Sequence, residues 1–331
     1  MNILVTGGRG MLGSAVARHL LQRGDNVTTF QRSPSGIPDR GLGPSAGRAT
    51  EKLGDVADAD DVAAAFRTAD PAAVVHLAAR VSVTGTAEDF VRTNVQGTGN
   101  VIAAARAAGA RVVQVSSPSV AHIGRSIVGR GADPADPEHA RGWYARTKAL
   151  AEQLALGATG VDVVAVRPHI VWGPGDTQLV GRIVERAKSG RLALVGPGYS
   201  LIDTTYVDNA VDAIAAALDR AGDLRGRAFV VSNGQPRPVA ELVRRICTAA
   251  AVPPPRVHVP FRLAYAAGAG AEAVWAALHC QDDPPMTRFI AEQLSTAHWF
   301  DLSQTRAALD WKPAVSLDEG FERLAAWYAP D

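Results

Sequence analysis

With 331 residues, 47% of them hydrophobic, the chain is long enough for one large α/β domain or two smaller ones around a sizeable core. Charged residues make up 20% and the formal net charge is +1, which excludes the one-sided charge of a nucleic-acid binder or of a protein held electrostatically at a membrane. Two cysteines, Cys247 and Cys280, are too few for a disulfide framework and suit a reducing cytoplasm, and neither a secretory leader nor an uncharged apolar run of membrane-spanning length stands out.

Short apolar runs alternate with longer Ala-rich periodic ones. Residues 3–5 read as a strand, 11–23 as a helix and 26–30 as a second strand. Residues 36–48, rich in Gly, Pro and Ser, read as a mobile surface loop. A helix over 60–69, a strand over 73–77, a long helix over 87–109, a strand over 111–115, a helix over 142–157 and a strand over 161–166 follow. Alternation of this kind predicts a mainly parallel sheet with helices on both faces. Beyond Arg167 prolines and glycines cluster and the elements shorten, so a smaller C-terminal lobe is expected, with Phe229-Val-Val231 returning to the main sheet. The stretch 261–280 carries Leu263, Tyr265, Val274, Trp275 and Leu278 with few charges, and reads equally as an apolar lid or as core of that lobe.

Thr6-Gly-Gly-Arg-Gly-Met-Leu-Gly13 lies between the first strand and the first helix. Gly7 suits the tight turn, Gly10 the close approach of a pyrophosphate, and Gly13 the packing of helix on strand. Met11 and Leu12 open the helix, whose free N–H groups and positive dipole end favour phosphate. A dinucleotide is therefore expected here. The second strand ends at Gln31 and Arg32, where a site for NAD usually has an acid for the ribose 2′-OH. A missing acid and a present arginine, able to pair with a 2′-phosphate, favour NADP(H) and leave NAD(H) open.

Gly142-Trp-Tyr-Ala-Arg-Thr-Lys148 places Tyr144 and Lys148 one helical turn apart, on one face. The chain has five tyrosines and only four lysines, so such a pair arises by chance about 0.06 times. A free phenol titrates near 10, and a neighbouring ammonium would lower that value toward the range of useful proton transfer. The preceding strand ends in Val115-Ser-Ser-Pro-Ser-Val120, which supplies hydroxyls. The histidines form no H-E-x-x-H pattern and the cysteines no C-x-x-C, so no metal site is expected.

The G-x-x-G-x-x-G spacing with the Tyr-x-x-x-Lys pair resembles the short-chain dehydrogenase/reductase superfamily, and the length points to its extended branch. The resemblance implies a Rossmann-type doubly wound parallel sheet over 1–166, with a return near 207–232, and a substrate-binding lobe from 167–206 and 233–331. It implies catalytic roles for Ser117, which polarises the carbonyl, Tyr144, which transfers the proton, and Lys148, which holds the nicotinamide ribose and lowers the Tyr144 pKa. Asp55 and Val56 match the adenine contact, although Asp55 could equally cap the following helix. Leu77, Ala78 and Ala79 match the strand end under the cofactor, and Asn94 an asparagine that orders the site. Pro168 and Val171, in Arg167-Pro-His-Ile-Val-Trp-Gly-Pro-Gly175, match the segment that closes over the nicotinamide. Ser119, His169 and Tyr206 are candidates for substrate contact.

Three stretches, 115–120, 167–176 and 284–289 with Phe300-Asp-Leu downstream, resemble the 3β-hydroxysteroid dehydrogenase branch. Within it they resemble the 2-alkyl-3-oxoalkanoate reductases of bacterial long-chain olefin biosynthesis. The implied activity is NADP(H)-dependent reduction of a ketone on a hydrophobic small molecule in the cytoplasm, by a homodimer packed through the Ala-rich helices 88–108 and 142–157. Arg125, Arg130 and Arg141 could receive a carboxylate at the mouth of the site or be solvated. An NAD-dependent sugar-nucleotide epimerase or dehydratase is the alternative enzyme and would need a basic cluster such as Arg182, Arg186 and Arg191. A non-catalytic dinucleotide sensor is disfavoured by the presence of the tyrosine.

Overall fold

The computed structural model describes residues 1–37, 43, 45–82, 85–122, 124–278, 280 and 284–329. The first half alternates as read from sequence: β1 (Asn2–Thr6), α1 (Met11–Gln22), β2 (Asn26–Gln31), β3 (Ala49–Leu53), α2 (Ala59–Ala69), β4 (Ala73–His76), α3 (Ala87–Phe90), a π-helical segment (Val91–Gln96), α4 (Gly97–Ala108) and β5 (Arg111–Val115). A short 3₁₀ turn (Pro118–Ala121), β6 (Ile127–Arg130), α5 (Gly142–Leu156) and β7 (Val163–Pro168) follow. The second half comprises β8 (Val171–Trp172), α6 (Val180–Lys188), β9 (Ala193–Val195), β10 (Leu201–Ile202), β11 (Thr205–Tyr206), α7 (Val207–Asp219), β12 (Ala228–Val231), β13 (Arg237–Pro238), α8 (Val239–Ala249), β14 (Val257–Val259), α9 (Phe261–Ala277), α10 (Arg288–Ser295), β15 (His298–Phe300), α11 (Ser303–Leu309) and α12 (Leu317–Tyr328).

Seven described strands form one parallel sheet in the order β12-β7-β5-β4-β1-β2-β3. The inner strands carry unbroken apolar runs because both faces are covered. On one side α1 and α7 bury Val16, Leu20, Val211, Ile214 and Leu218; on the other α2, α4 and α5 bury Phe66, Val101, Ile102 and Ala155. Chain direction across the sheet reverses between β1 and β4, so the carboxyl ends of these neighbours flank a crevice where ligands of doubly wound sheets bind.

Strand β3 was not foreseen. Ala-Thr-Glu-Lys-Leu has no apolar run, and as an edge strand it leaves Glu51 and Leu53 exposed, a charged edge that discourages pairing with another chain. The expected helix over 87–109 is three consecutive pieces, opened by a capping box of Thr86 and Asp89 and closed by Gly109 at φ +65. Residues 38–42 and 44 of the expected loop at 36–48 lie outside the described residues.

Small strands arise only from pairing in the second half. The sheet β13-β10-β15-β6 joins residues over a hundred positions apart. On α9, Ala264 is buried against Val195 and Ala291, whereas Leu263 and Val274 are 61% and 48% exposed. That helix is therefore not core throughout: part of its apolar surface faces outward. Among the described residues no helix is long and apolar enough to cross a membrane.

Candidate active site

The glycine loop adopts the geometry its spacing requires. Gly7 sits at φ +75, and a Cβ there would lie 2.9 Å from the Ala78 nitrogen. A Cβ on Gly13 would fall 2.2 Å from the Gly7 oxygen, which holds α1 tight on β1. Gly10 is exposed, and a Cβ on it would meet nothing nearer than 3.5 Å, so space is open on the side where a phosphate would approach. It stands at the N-cap of α1 without a side-chain cap, leaving the first N–H groups of the helix for an anion. These features fit a dinucleotide pyrophosphate at Gly10, Met11 and Leu12.

At the end of β2, Gln31 is buried and Arg32 exposed. Asp55 is not the cap of α2; Asp58 takes that role, accepting from the nitrogens of Asp60 and Asp61. Asp55 instead accepts from Ala57 N at 3.0 Å and pairs with Arg92 at 3.0 Å. Val56 is buried in contact range of Gly97, which fixes the floor of this corner.

Leu77, Ala78 and Ala79 follow β4 and cross beneath the glycine loop. A buried polar chain supports them. Thr98 Oγ1 donates to Asn94 O, so it accepts from His76 Nε2; His76 Nδ1 then accepts from Thr6 Oγ1, which in turn accepts from Ala78 N. This ordering assigns His76 one neutral tautomer, and burial, aided by the charge of Lys148, pushes its pKa down to about 3. Asn94, 1% exposed within the π-helical segment, clasps the Arg80 backbone with Oδ1 and Nδ2 and also donates to Thr147 Oγ1 on α5. One asparagine thereby joins the β4 loop to the helix bearing Tyr144 and Lys148, a common location for a π-bulge.

Ser117 follows the end of β5, and Tyr144 and Lys148 lie one turn apart on α5. Ser119 Oγ donates to Ser117 Oγ at 3.0 Å, and Ser117 hydrogen-bonds the half-buried Tyr144 side chain. Lys148, 4% exposed, donates Nζ to Val115 O at 2.6 Å at the end of β5. The expected lowering of the Tyr144 pKa by Lys148 is not what the protein alone displays. Burial pushes the phenol above its ordinary value, with the Ser117 hydrogen bond acting the other way. Burial also lowers Lys148 to about 8, opposed by Glu152 one turn on. Glu152 forms a buried two-bond ion pair with Arg167 of β7, whose Nη1 also donates to Asp133 O. Neither Glu152 nor Arg167 was singled out for this; an i, i+4 Lys-Glu pair was the one available sequence signal.

Pro168 closes β7 and Val171 opens β8. Between them Ile170 has φ +43, a left-handed conformation costly for a β-branched residue and a mark of a constrained segment. His169 donates Nδ1 to Asp203 O and packs edge-on to Phe300; burial pushes its pKa down to about 4, so it is neutral at pH 7. His122, two residues beyond the 3₁₀ turn's Val120, and His298 complete a buried group of rings with centroids 4.8 and 5.8 Å apart. Ser119 is at the site; Tyr206 is not brought to it. Tyr206 is 2% exposed, edge-on to Trp172, with Arg323 over its ring, so its bulk serves the core. Arg130 pairs with Asp133 and Arg141 with Glu292, leaving Arg125 as the cation of that trio with no ion pair among the described residues. Arg186 donates to Pro285 O, which spends one member of the expected basic cluster.

The chain matches the NAD dependent epimerase/dehydratase family over residues 3–232. It is 42% identical to a 2-alkyl-3-oxoalkanoate reductase of Stenotrophomonas maltophilia (strain K279a), covering 98% of this chain and 99% of that one. A 2-alkyl-3-oxoalkanoate reductase of Shewanella oneidensis is 36% identical over 97% of this chain and 85% of its own length. Among solved structures, a DesIV double mutant (dTDP-glucose 4,6-dehydratase) from Streptomyces venezuelae, with NAD and DAU bound, superposes with a TM-score of 0.75 at 25% identity, covering 99% and 97% of the two chains. The chain belongs to the NAD dependent epimerase/dehydratase family, the extended short-chain dehydrogenases/reductases, and is an oxidoreductase of that family.

Proposed function

We propose that this oxidoreductase reduces the ketone of a 2-alkyl-3-oxoalkanoate, with NADPH as the favoured reductant. The observation that carries the reading is the Ser119–Ser117–Tyr144 hydroxyl chain beside the buried Lys148. The reduced nicotinamide, when bound, supplies a hydride to the carbonyl carbon. Ser117 holds the carbonyl oxygen and Tyr144 delivers its proton there, so the ketone becomes a secondary alcohol. Burial keeps the Tyr144 phenol protonated at neutral pH, the form a reduction consumes. Lys148, retained as an ammonium by Glu152, holds the nicotinamide ribose. Leu77, Ala78, Ala79, Asp55, Val56, Pro168 and Val171 line the path of the dinucleotide, and Asn94 keeps the β4 loop and α5 in register. The similarity to the two reductases supports the substrate class, and the residues 167–206 and 233–331 would receive the acyl chains. A homodimer packed through residues 88–108 and 142–157, with Trp143 and Leu154 of α5 exposed, accompanies this reading.

The test is NADPH oxidation against a ketone panel: a 2-alkyl-3-oxo acid, a 3-ketosteroid and a keto sugar nucleotide. Turnover of the first is expected. Response to the sugar nucleotide alone would overturn the substrate class. Tyr144→Phe should bind NADPH as the wild type does and lose about 10²–10⁴-fold in kcat; undiminished turnover would remove Tyr144 from the chemistry.

A further inference from the structure

The amide at the end of β2 is committed in a direction that composition does not disclose. Gln31 is 7% exposed and donates Nε2 to Glu51 Oε1 on β3 at 3.1 Å. The same Glu51 oxygen accepts from Ser35 N at 2.7 Å and from Ser35 Oγ at 2.6 Å. A carboxylate only accepts, so the NH₂ end of Gln31 is the end that faces it. Gln31 Oε1 is turned the other way, buried and without a hydrogen-bond partner among the described residues. It faces the glycine loop: a Cβ on Gly8 would lie 2.9 Å from it. An unmet buried acceptor is destabilising, and a ligand hydroxyl would relieve it.

This position is where an acid of an NAD site presents acceptor oxygens to the ribose 2′-OH. With its donor end spent on Glu51, Gln31 presents the same chemistry, an acceptor. The NH₂ that would have served a 2′-phosphate is withdrawn, and the Glu51 carboxylate adds a repelling charge beside it. Arg32, exposed and without an ion pair among the described residues, supplies the opposing attraction, as does the exposed Arg9 in the glycine loop. We propose that Glu51, acting through Gln31, sets the dinucleotide selectivity of this site: it turns the amide acceptor-first toward the adenosine ribose and opposes a 2′-phosphate, so that NAD(H) is accepted alongside NADP(H). The proposal rests on the glycine loop as the dinucleotide site and deepens the cofactor part of that reading. Glu51 is a positioning residue; it need not touch the cofactor.

The test is calorimetric titration of the full chain with NADP⁺, NAD⁺, 2′,5′-ADP and 5′-AMP. Wild type is expected to bind both dinucleotides. Glu51 is solvent-exposed, so the effect of its charge is moderated: Glu51→Gln should raise the NADP⁺ to NAD⁺ affinity ratio about three- to tenfold. The ratio of 2′,5′-ADP to 5′-AMP should move with it, which localises the change to the 2′ position. Glu51→Ala should act in the same sense, and Arg32→Ala in the opposite one. Wild type that binds NADP⁺ but no NAD⁺, or ratios within about twofold of wild type in both folded Glu51 variants, would overturn the proposal while leaving the ketone reductase reading intact. Wild type that binds neither dinucleotide would remove both.

Discussion

Glu152→Gln is the sharpest test of how the site is built. The carboxylate is 1% exposed and takes two bonds from a guanidinium that is 2% exposed. The substitution keeps one acceptor oxygen and nearly the same volume but leaves the Arg167 charge with the Asp133 carbonyl and an amide. A buried charge stripped of its counter-ion costs about 3–5 kcal/mol, and the retained acceptor puts this case near the lower end. Urea unfolding followed by tryptophan fluorescence should show that loss. Adding Arg167→Met should restore most of it, less the unpaired Asp133 carbonyl. Lys148 carries a second readout. Glu152 is the group that raises its pKa against burial, so the variant should bring Lys148 below about 8. The ammonium is then lost nearer neutrality, and the alkaline limb of kcat/KM should move to lower pH. A loss under about 1 kcal/mol with an unmoved limb would refute the argument that this pair is both a structural tie and a support for the lysine.

Gly13→Ala places a methyl 2.2 Å from the Gly7 oxygen, so the loop must shift, and dinucleotide affinity by fluorescence titration should fall about ten- to a hundredfold. Gly270→Ala is the control: within α9 nothing lies within 4 Å of the new methyl, and stability should rise by about 0.5–1 kcal/mol with affinity unchanged. Acid should destabilise the fold before ordinary carboxylates titrate. His76, His169 and His298 are depressed by burial from 6.5 to about 3, 4 and 3, so between those values the unfolded chain binds protons the native one refuses, and stability falls as pH falls. Asp203, raised by burial to about 6, and Asp212, also raised by burial, work the other way over part of that range, while His122, lowered by burial, acts with the three histidines. A urea midpoint at about pH 5 equal to or above that at about pH 7.5 would contradict this balance.

Much of the fold was legible because its determinants are local. Continuous apolar runs with helices between them specify a parallel sheet, and glycines at fixed spacing specify a turn that at Gly7 and Gly13 admits no other residue. Tyr144 and Lys148 were readable because four residues along a helix is one turn. Strand β3 and the short strands of the second half were not readable, since their stability comes from partners distant in the chain rather than from their own pattern. Tyr206 shows the same limit from the other side: a tyrosine beside the closing segment reads as a substrate contact, and only packing against Trp172 and Arg323 turns it into core.

The sequence by itself determined the alternating order of a doubly wound parallel sheet, the glycine loop after β1 and the placing of Tyr144 and Lys148 one turn apart, because those features are matters of residue type and spacing. Tertiary structure alone decided what surrounds them. The tautomer of His76, the Glu152–Arg167 tie behind Lys148, the bridge from Asn94 to Thr147 and the turning of Gln31 toward Glu51 all join residues from different elements. Hydrogen-bond direction and burial depend on where side chains meet in space, and a linear sequence does not carry that geometry.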